Sequence, residues 1–215
     1  MKIAILGGTG DEGLGLAMRL AGAGDEVIIG SRSAERALEA AHTVREKVPF
    51  GHVSGMANDA AAEAAEVVIV SVPYAAQRDT LTALGPLLAG KIVVSVVVPL
   101  QFGKGGPHAV RVEEGSAAEE ARAILPDARI ASGFHNLSAT KLMEVDSSLD
   151  CDVVVCGDDA EAKRTAMELA EKMEGARAID GGPLAYSRYA EDLTALILAL
   201  NRRYKAHASV KFTGL

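Results

Sequence analysis

Seven apolar runs rich in β-branched residues recur along the chain: "KIAILG" (2–7), "EVIIG" (26–30), "EVVIVSV" (66–72), "KIVVSVV" (91–97), "ARIASGF" (128–134), "CDVVVCG" (151–157) and "ARAIDG" (176–181). Most of them carry apolar residues at both odd and even positions, so neither face of the strand is suited to water. Stretches of Ala/Leu-rich helical spacing fall between most of them, around 13–23, 34–47, 58–65, 75–88, 116–125 and 159–174. Strands buried on both faces and joined through helices specify a parallel sheet covered on each side. The expected fold is therefore α/β: a doubly wound, mostly parallel sheet of Rossmann type, with "HVSGM" (52–56) as a weaker extra strand.

Two segments depart from this rhythm. "PLQFGKGGPHAVRVEEG" (99–115) is rich in Gly and Pro and weakly patterned, and reads as a long loop leaving the carboxyl end of a strand. Open α/β sheets bind ligands at those ends, and long loops in compact domains are often functional. The final helical stretch, 184–205, has no strand after it and must pack on the sheet edge, over a cleft or on a second subunit. The chain is accordingly divided into residues 1–183, a Rossmann-type domain, and 184–215, a C-terminal helical segment closing the cleft. The apolar "LTALILAL" (193–200) in that segment suggests a homodimer contact, with packing inside the same subunit as the alternative.

The first strand runs into Gly8-Thr9-Gly10-Asp11-Glu12-Gly13, which matches G-x-G-x-x-G between a strand and a helix. In that context the pattern indicates a dinucleotide, whose diphosphate approaches free N–H groups at the helix start. Two carboxylates in such a loop are tolerable if Asp11 and Glu12 point away from the ligand. On that placement Glu12→Gln should bind NADP slightly more tightly. At the tip of the second strand, sites specific for NAD usually carry an acid. Here the chain reads Gly30-Ser31-Arg32-Ser33, with Arg36 four residues beyond Arg32. If Ser33 caps the next helix, both arginines lie beside its N-terminus, where the helix dipole disfavours cations. A 2′-phosphate would offset that penalty through charge-assisted bonds. NADP is the expected nucleotide.

Little else looks catalytic. There is no Cys/His nucleophile pair, no G-x-S-x-G and no metal-ligand cluster, so no catalytic residue and no metal are expected. Of the five histidines only His135, in "SGFHNLSAT", falls just past a strand end. Taken alone, it is most simply a structural hydrogen-bonding group. The acids of "VEEGSAAEEA" read as loop and helix surface, with Ser116 and Glu119 spaced as a capping box. "CGDDAEAK" reads as a strand end, an N-cap and a first turn. Cys151 and Cys156 are an odd number of residues apart in one strand, so they point to opposite faces and should remain packed, unpaired thiols. Hydride transfer to a carbonyl usually needs a proton donor, whereas transfer between two redox cofactors mainly needs their rings held in register.

Several segments together, "GGTGDEGLGLAMRLAGAGDEVIIGSR", "VVIVSVPY", "SVVVPL", "EEGSAAEEA", "FHNLSA", "CDVVVCGDDAEAK" and "GGPLAYSRYAEDLTALILALNRRY", closely resemble the NADPH-dependent reductases of coenzyme F420 over nearly the whole chain. The resemblance implies reversible hydride transfer between NADP(H) and an 8-hydroxy-5-deazaflavin ring. It implies that Thr9, Gly10, Asp11 and Glu12 lie along the diphosphate, with Gly8 and Gly13 shaping the loop, and that Ser31, Arg32 and Arg36 meet the 2′-phosphate. Val72, Pro73 and Tyr74 would flank the path from adenosine to nicotinamide, and Ala139 would touch the nicotinamide. His135 and Leu137 would lie by the deazaflavin. Tyr74 stands where relatives can carry Trp, and Val96 where versions of the motif have Pro.

Composition narrows the alternatives. Lys plus Arg is 22 against 29 for Asp plus Glu, a net charge of −7. Without a basic block, nucleic acid and anionic membranes are poor partners. The opening "MKIAILGG" is too short to act as a signal peptide and no run approaches a membrane span, so a cytoplasmic protein with small-molecule partners only is expected. Rival readings are an NADPH-dependent flavin or ferric reductase, a pyrroline or imine reductase, and a non-enzymatic NADP sensor. The last would not need an open second-ligand cleft.

Overall fold

A computed structural model describes all 215 residues. Its main sheet is built from β1 (Lys2–Leu6), β2 (Glu26–Ser31), β3 (His52–Ala57), β4 (Val67–Val70), β5 (Ile92–Ser95), β8 (Arg129–Ser132), β9 (Cys151–Gly157) and β10 (Ala176–Asp180). The strand order is β10-β9-β8-β5-β4-β1-β2-β3. Six neighbouring strands, β8 through β3, are parallel, while β9 meets β8 antiparallel through only two residue pairs, Ala131 with Gly157 and Ser132 with Cys156. The chain builds outward from β1 to β3, then returns to lay β4 against the other side of β1. The carboxyl ends of β1 and β4 therefore diverge into a crevice, the topological switch point where open sheets hold ligands.

Helices cover both faces. On one lie α1 (Asp11–Gly22), α2 (Ala34–Lys47) and α7 (Ala160–Glu171), contributing Leu16, Leu20, Ala41 and Leu169 to one buried core. On the other lie α3 (Asn58–Ala64), α4 (Tyr74–Leu88) and α5 (Ala117–Ile124), with Leu81, Leu88 and Ala121 in a second core. The β-branched strands fill both cores at once, as their two-faced apolar pattern requires.

Two elements differ from the sequence reading. The segment 99–115 is not a featureless loop: β6 (Leu100–Gly103) and β7 (Gly106–Ala109) form an antiparallel hairpin with Leu100 opposite Ala109. A short helix, α6 (Ala139–Met143), occupies a stretch with no periodic signal. Cys151 and Cys156 are unpaired and buried, and burial pushes both thiols up to about 11.

The last helix, α8 (Ser187–Tyr204), packs on β7 and α5. Its buried Glu191 accepts from the backbone N–H groups of Ala117 (2.8 Å) and Ala118 (3.1 Å), helping Ser116 to cap α5. Burial lifts this carboxyl to about 7. Beyond α8 the chain turns at Lys205, in the left-handed region, and runs back beside β9. There the Asp152 N–H donates to the Val210 carbonyl (2.7 Å), and Phe212 N–H donates to the Asp152 carboxylate (2.5 Å). Arg177 forks onto the same carboxylate at 2.8 and 2.7 Å.

The Arg177 guanidinium holds Asp152 down to about 2, with burial opposing it. A depressed acid stabilises the fold above its unfolded value near 3.8, and that contribution is lost as pH falls toward 2. Asp152→Asn should therefore be less stable than wild type at pH 7 and show a shallower loss between pH 5 and 2. Urea unfolding at several pH values would read this directly. Parallel acid limbs for the two proteins would show that the pair does not set acid sensitivity.

Candidate functional site

A single large cleft of about 890 Å³ opens over the carboxyl ends of β1, β2 and β4 and extends under α8. Its floor is the start of α1. Gly10 is the N-cap and, like Ala57, Pro73 and Tyr186 at the starts of α3, α4 and α8 but unlike Ser33, Ser116, Ser138 and Asp159 at those of α2, α5, α6 and α7, offers no side-chain cap. Leu14 N–H is the first in the helix to find a carbonyl, that of Gly10 (2.8 Å). The N–H groups of the first turn are left for another acceptor, with the positive end of the helix dipole behind them. Gly8 and Gly13 do not line the cleft. They meet beneath it, where a Cβ on Gly13 would sit 2.5 Å from the Gly8 Cα. The pattern's outer glycines thus pack the strand against the helix, while Thr9 and Gly10 face the open space.

The two acids part company. Asp11 is exposed and outside the cleft. Glu12 lines it, and its Oε1 is buried without a hydrogen-bond partner. The outward placement expected for both acids is wrong for Glu12. The helix face that carries it turns toward α6, since a Cβ on Gly15, one turn further, would lie 2.4 Å from the Leu142 Cβ. Burial raises the Glu12 carboxyl to about 8.

At the tip of β2, Ser33 caps α2 by accepting from Arg36 N–H (3.3 Å), as the spacing suggested. Ser31 is buried, its hydroxyl accepting from Ser33 N–H (3.3 Å). Arg32 and Arg36 are exposed, line the same end of the cleft and make no ion pair. At the β4 end, Val72, Pro73 and Tyr74 form one wall. The Tyr74 hydroxyl donates to Glu120 Oε2 (2.8 Å), and burial together with that bond pushes the phenol up to about 12. Glu120 is accordingly buried, a correction to the surface role read for the acids of α5.

The opposite wall is the segment after β8. Phe134 takes a positive φ of 69° with its ring buried, a conformation costly for a residue other than glycine. That turn throws His135, Leu137 and Ala139 across the cleft. The His135 carbonyl accepts from Thr194 Oγ1 (2.8 Å), yet neither ring nitrogen has a partner. Burial pushes this histidine down to about 4, with the Ser95 backbone opposing only in part, so the imidazole is neutral at physiological pH.

Several lining residues escaped the sequence reading, among them Asn58, Asn136, Thr194, Asn201 and His207. Asn58 was open to discovery, because it directly follows β3 at the ligand-binding edge, where its Oδ1 now accepts from Gly7 N–H (3.4 Å). Thr194, Asn201 and His207 depend on how α8 and the tail fold back over the cleft, which no local pattern encodes.

The doubly wound sheet, the glycine corner at its switch point and the cleft above it define a Rossmann-type nucleotide-binding oxidoreductase fold. Residues 2–99 match the model of a family described as NADP oxidoreductase, coenzyme F420-dependent. The F420-dependent NADP reductase of Methanothermobacter marburgensis is 44% identical over 100% of this chain and 99% of its own length. The chain belongs to this F420-dependent NADP reductase family. A crystal structure from Arthrobacter sp. FB24, named as a candidate F420-dependent NADP reductase, superposes with a TM-score of 0.83 at 30% identity, covering 99% of this chain and 100% of that one. The rat metalloreductase STEAP3 is more distant, 31% identical over 92% of this chain but only 37% of its own.

Proposed function

We propose that the protein transfers a hydride reversibly between NADP(H) and the deazaflavin coenzyme F420, without a dedicated acid–base residue. The observation that carries this reading is the union, in one cleft, of an uncapped helix start, two unpaired arginines and a wall bearing a neutral, unpartnered imidazole. Its volume is near the top of the roughly 300–1,000 Å³ range of small-molecule sites, which suits a dinucleotide with a second ring system. The two rings carry the hydride themselves. Thr9, Gly10 and the first-turn N–H groups hold the diphosphate, and Ser31, Arg32 and Arg36 hold the 2′-phosphate. Val72, Pro73 and Tyr74 flank the bound nucleotide, Ala139 meets the nicotinamide, and His135 and Leu137 border the deazaflavin. Residues 184–215 close the cleft over the domain formed by 1–183.

The test is to mix the protein with NADPH and oxidised F420 and follow the deazaflavin's visible absorbance, with NADH and free flavins in parallel. Bleaching that requires NADPH and F420 is the expected result. Consumption of NADPH only with a flavin would replace F420 by a flavin acceptor, the reading closer to the metalloreductase likeness. Tight NADPH binding with no acceptor reduced would leave a sensor.

The protein is further proposed to work as a homodimer in the cytoplasm, with no nucleic-acid partner. No helix is long and apolar enough to cross a membrane. Tyr189, Leu196, Leu200 and Tyr204 are exposed along the side of α8 turned away from the cleft, a stripe with helical spacing on which Arg188 and Arg203 lie over the two tyrosine rings. Leu196→Glu with Leu200→Glu should convert the dimer to monomer in sedimentation velocity while leaving far-UV CD unchanged. A wild-type chain that sediments as a monomer at micromolar concentration overturns this assembly.

A further inference from the structure

We infer that the cleft takes up its dinucleotide together with a proton carried on the Glu12 carboxyl, so that Glu12 serves the bound nucleotide as a neutral acid and hydrogen-bond donor. This rests on reading the cleft as an NADP(H) site. The geometry comes first. Glu12 is the second residue of α1, its side chain enters the cleft, and its Oε1 is sealed from water with no donor aimed at it. Glu12 is only partly exposed, and an ionised carboxylate there has one oxygen with neither solvent nor donor to stabilise it, whereas the protonated form needs less.

The surroundings offer no compensating charge. On its own helix the neighbouring Asp11 is exposed and of like sign. From the segment after β8 comes His135, neutral and itself without partners. From α4 comes the neutral phenol of Tyr74, committed to Glu120. Arg32 and Arg36 stand at the β2 end and His207 in the returning tail, and none forms a hydrogen bond or ion pair with Glu12. Burial alone thus sets its value, about 8. The positive end of α1 favours the anion but leaves this outcome standing.

A dinucleotide makes ionisation harder still. Its diphosphate belongs at the same uncapped turn, and its arrival displaces the remaining water around Glu12. A carboxylate there repels phosphate oxygens, while a carboxylic acid can donate to one. The free group titrates near 8 and the bound group higher, so the affinity for NADPH is level below that pH and falls by up to about tenfold per pH unit above it. Between pH 7.5 and 9.5 the dissociation constant should rise about 25-fold if Glu12 stays protonated in the complex. The second ionisation of the 2′-phosphate, near pH 6, and that of buried Glu191, near 7, lie below this window.

The experiment is calorimetric titration of wild type and Glu12→Gln with NADPH from pH 7 to 9.5, in buffers of different ionisation enthalpy. Carbon-13 NMR of glutamate carboxyls in the free proteins runs alongside. The expected result is uptake of a fraction of a proton per NADPH above pH 8 by wild type only, with an affinity that falls above pH 8 in wild type and stays level with pH in Glu12→Gln. One carboxyl resonance titrating near 8 should vanish in Glu12→Gln. Equal pH slopes and equal proton uptake in the two proteins would overturn the proposal, as would a Glu12 resonance titrating near 4.5. A resonance near 8 with no NADPH binding at any pH would instead overturn the cleft as an NADP site, and the linkage with it.

Discussion

NADPH binding should weaken by about 150-fold when Arg32 and Arg36 are both changed to alanine, while NADH binding moves by no more than about twofold. Both arginines are exposed and neither is engaged by a carboxylate, so the substitution breaks no ion pair of the protein. On the proposed reading, what it removes is contact with the 2′-phosphate. Hydrogen bonds to charged groups are worth about 1.5–3 kcal/mol each, and the lower figure applies at so open a site, giving about 3 kcal/mol for the pair. The cap between Ser33 Oγ and the Arg36 backbone N–H survives the change, so α2 keeps its start. Fluorescence titration with each nucleotide reads the difference. Equal weakening of NADH and NADPH would remove the 2′-phosphate from this corner.

A larger effect is expected at a residue far from any ligand. Arg19, near the end of α1, is 6% exposed and directs its whole guanidinium at one short stretch of backbone. It donates to the carbonyls of Lys141 (2.7 Å), Leu142 (2.9 Å), Glu144 (2.7 Å), Val145 (3.3 Å) and Ser147 (2.8 Å). These are the end of α6 and the turn beyond it, carbonyls that a helix of five residues cannot satisfy alone. Arg19→Ala leaves several acceptors unpaired at about 1–3 kcal/mol each, partly recovered by entering water, for a net loss of about 3–5 kcal/mol. In a chain of this size that is a fall in melting temperature of the order of 10 °C. Arg19→Lys should keep only part of the stability, because one ammonium cannot reproduce the planar fork. Because the same stretch carries His135 to Ala139 into the cleft, nucleotide affinity should fall with the stability. An unchanged melting temperature in both variants would mean that α6 is held by other contacts.

Most of the architecture could be read from the chain because the information is local. The β-branched runs declare strands wherever both faces are buried, and Ser33, Ser116 and Asp159 mark helix starts that the structure reproduces. The hairpin of β6 and β7 was hidden because "LQFG" and "GPHA" lie largely exposed and lack the alternation that a buried face imposes. The Glu12 side chain could not be oriented from the glycine loop. The neighbouring turn of α1 is covered by α6, more than a hundred residues away, pressed against Gly15. Glu120 was read as surface for a similar reason, since Tyr74, its partner, comes from another helix. The arginine pair was legible because its signal is a charge where the local dipole disfavours one. The imidazole of His135 was legible only as a position, since its missing partners are a property of the assembled walls.

The bare first turn of α1 also bears on how the molecule ages. Where α2, α5, α6 and α7 begin, a Ser or Asp side chain completes the helix; α3, α4 and α8 lack such a cap, and so does α1, which begins on a glycine at the floor of the cleft. If a diphosphate completes that turn, the nucleotide is in effect the last piece of secondary structure, supplied from the medium. The lifetime of the protein in the cell would then follow the supply of its own cofactor, and a starved cell would hold a less durable population of the same chain.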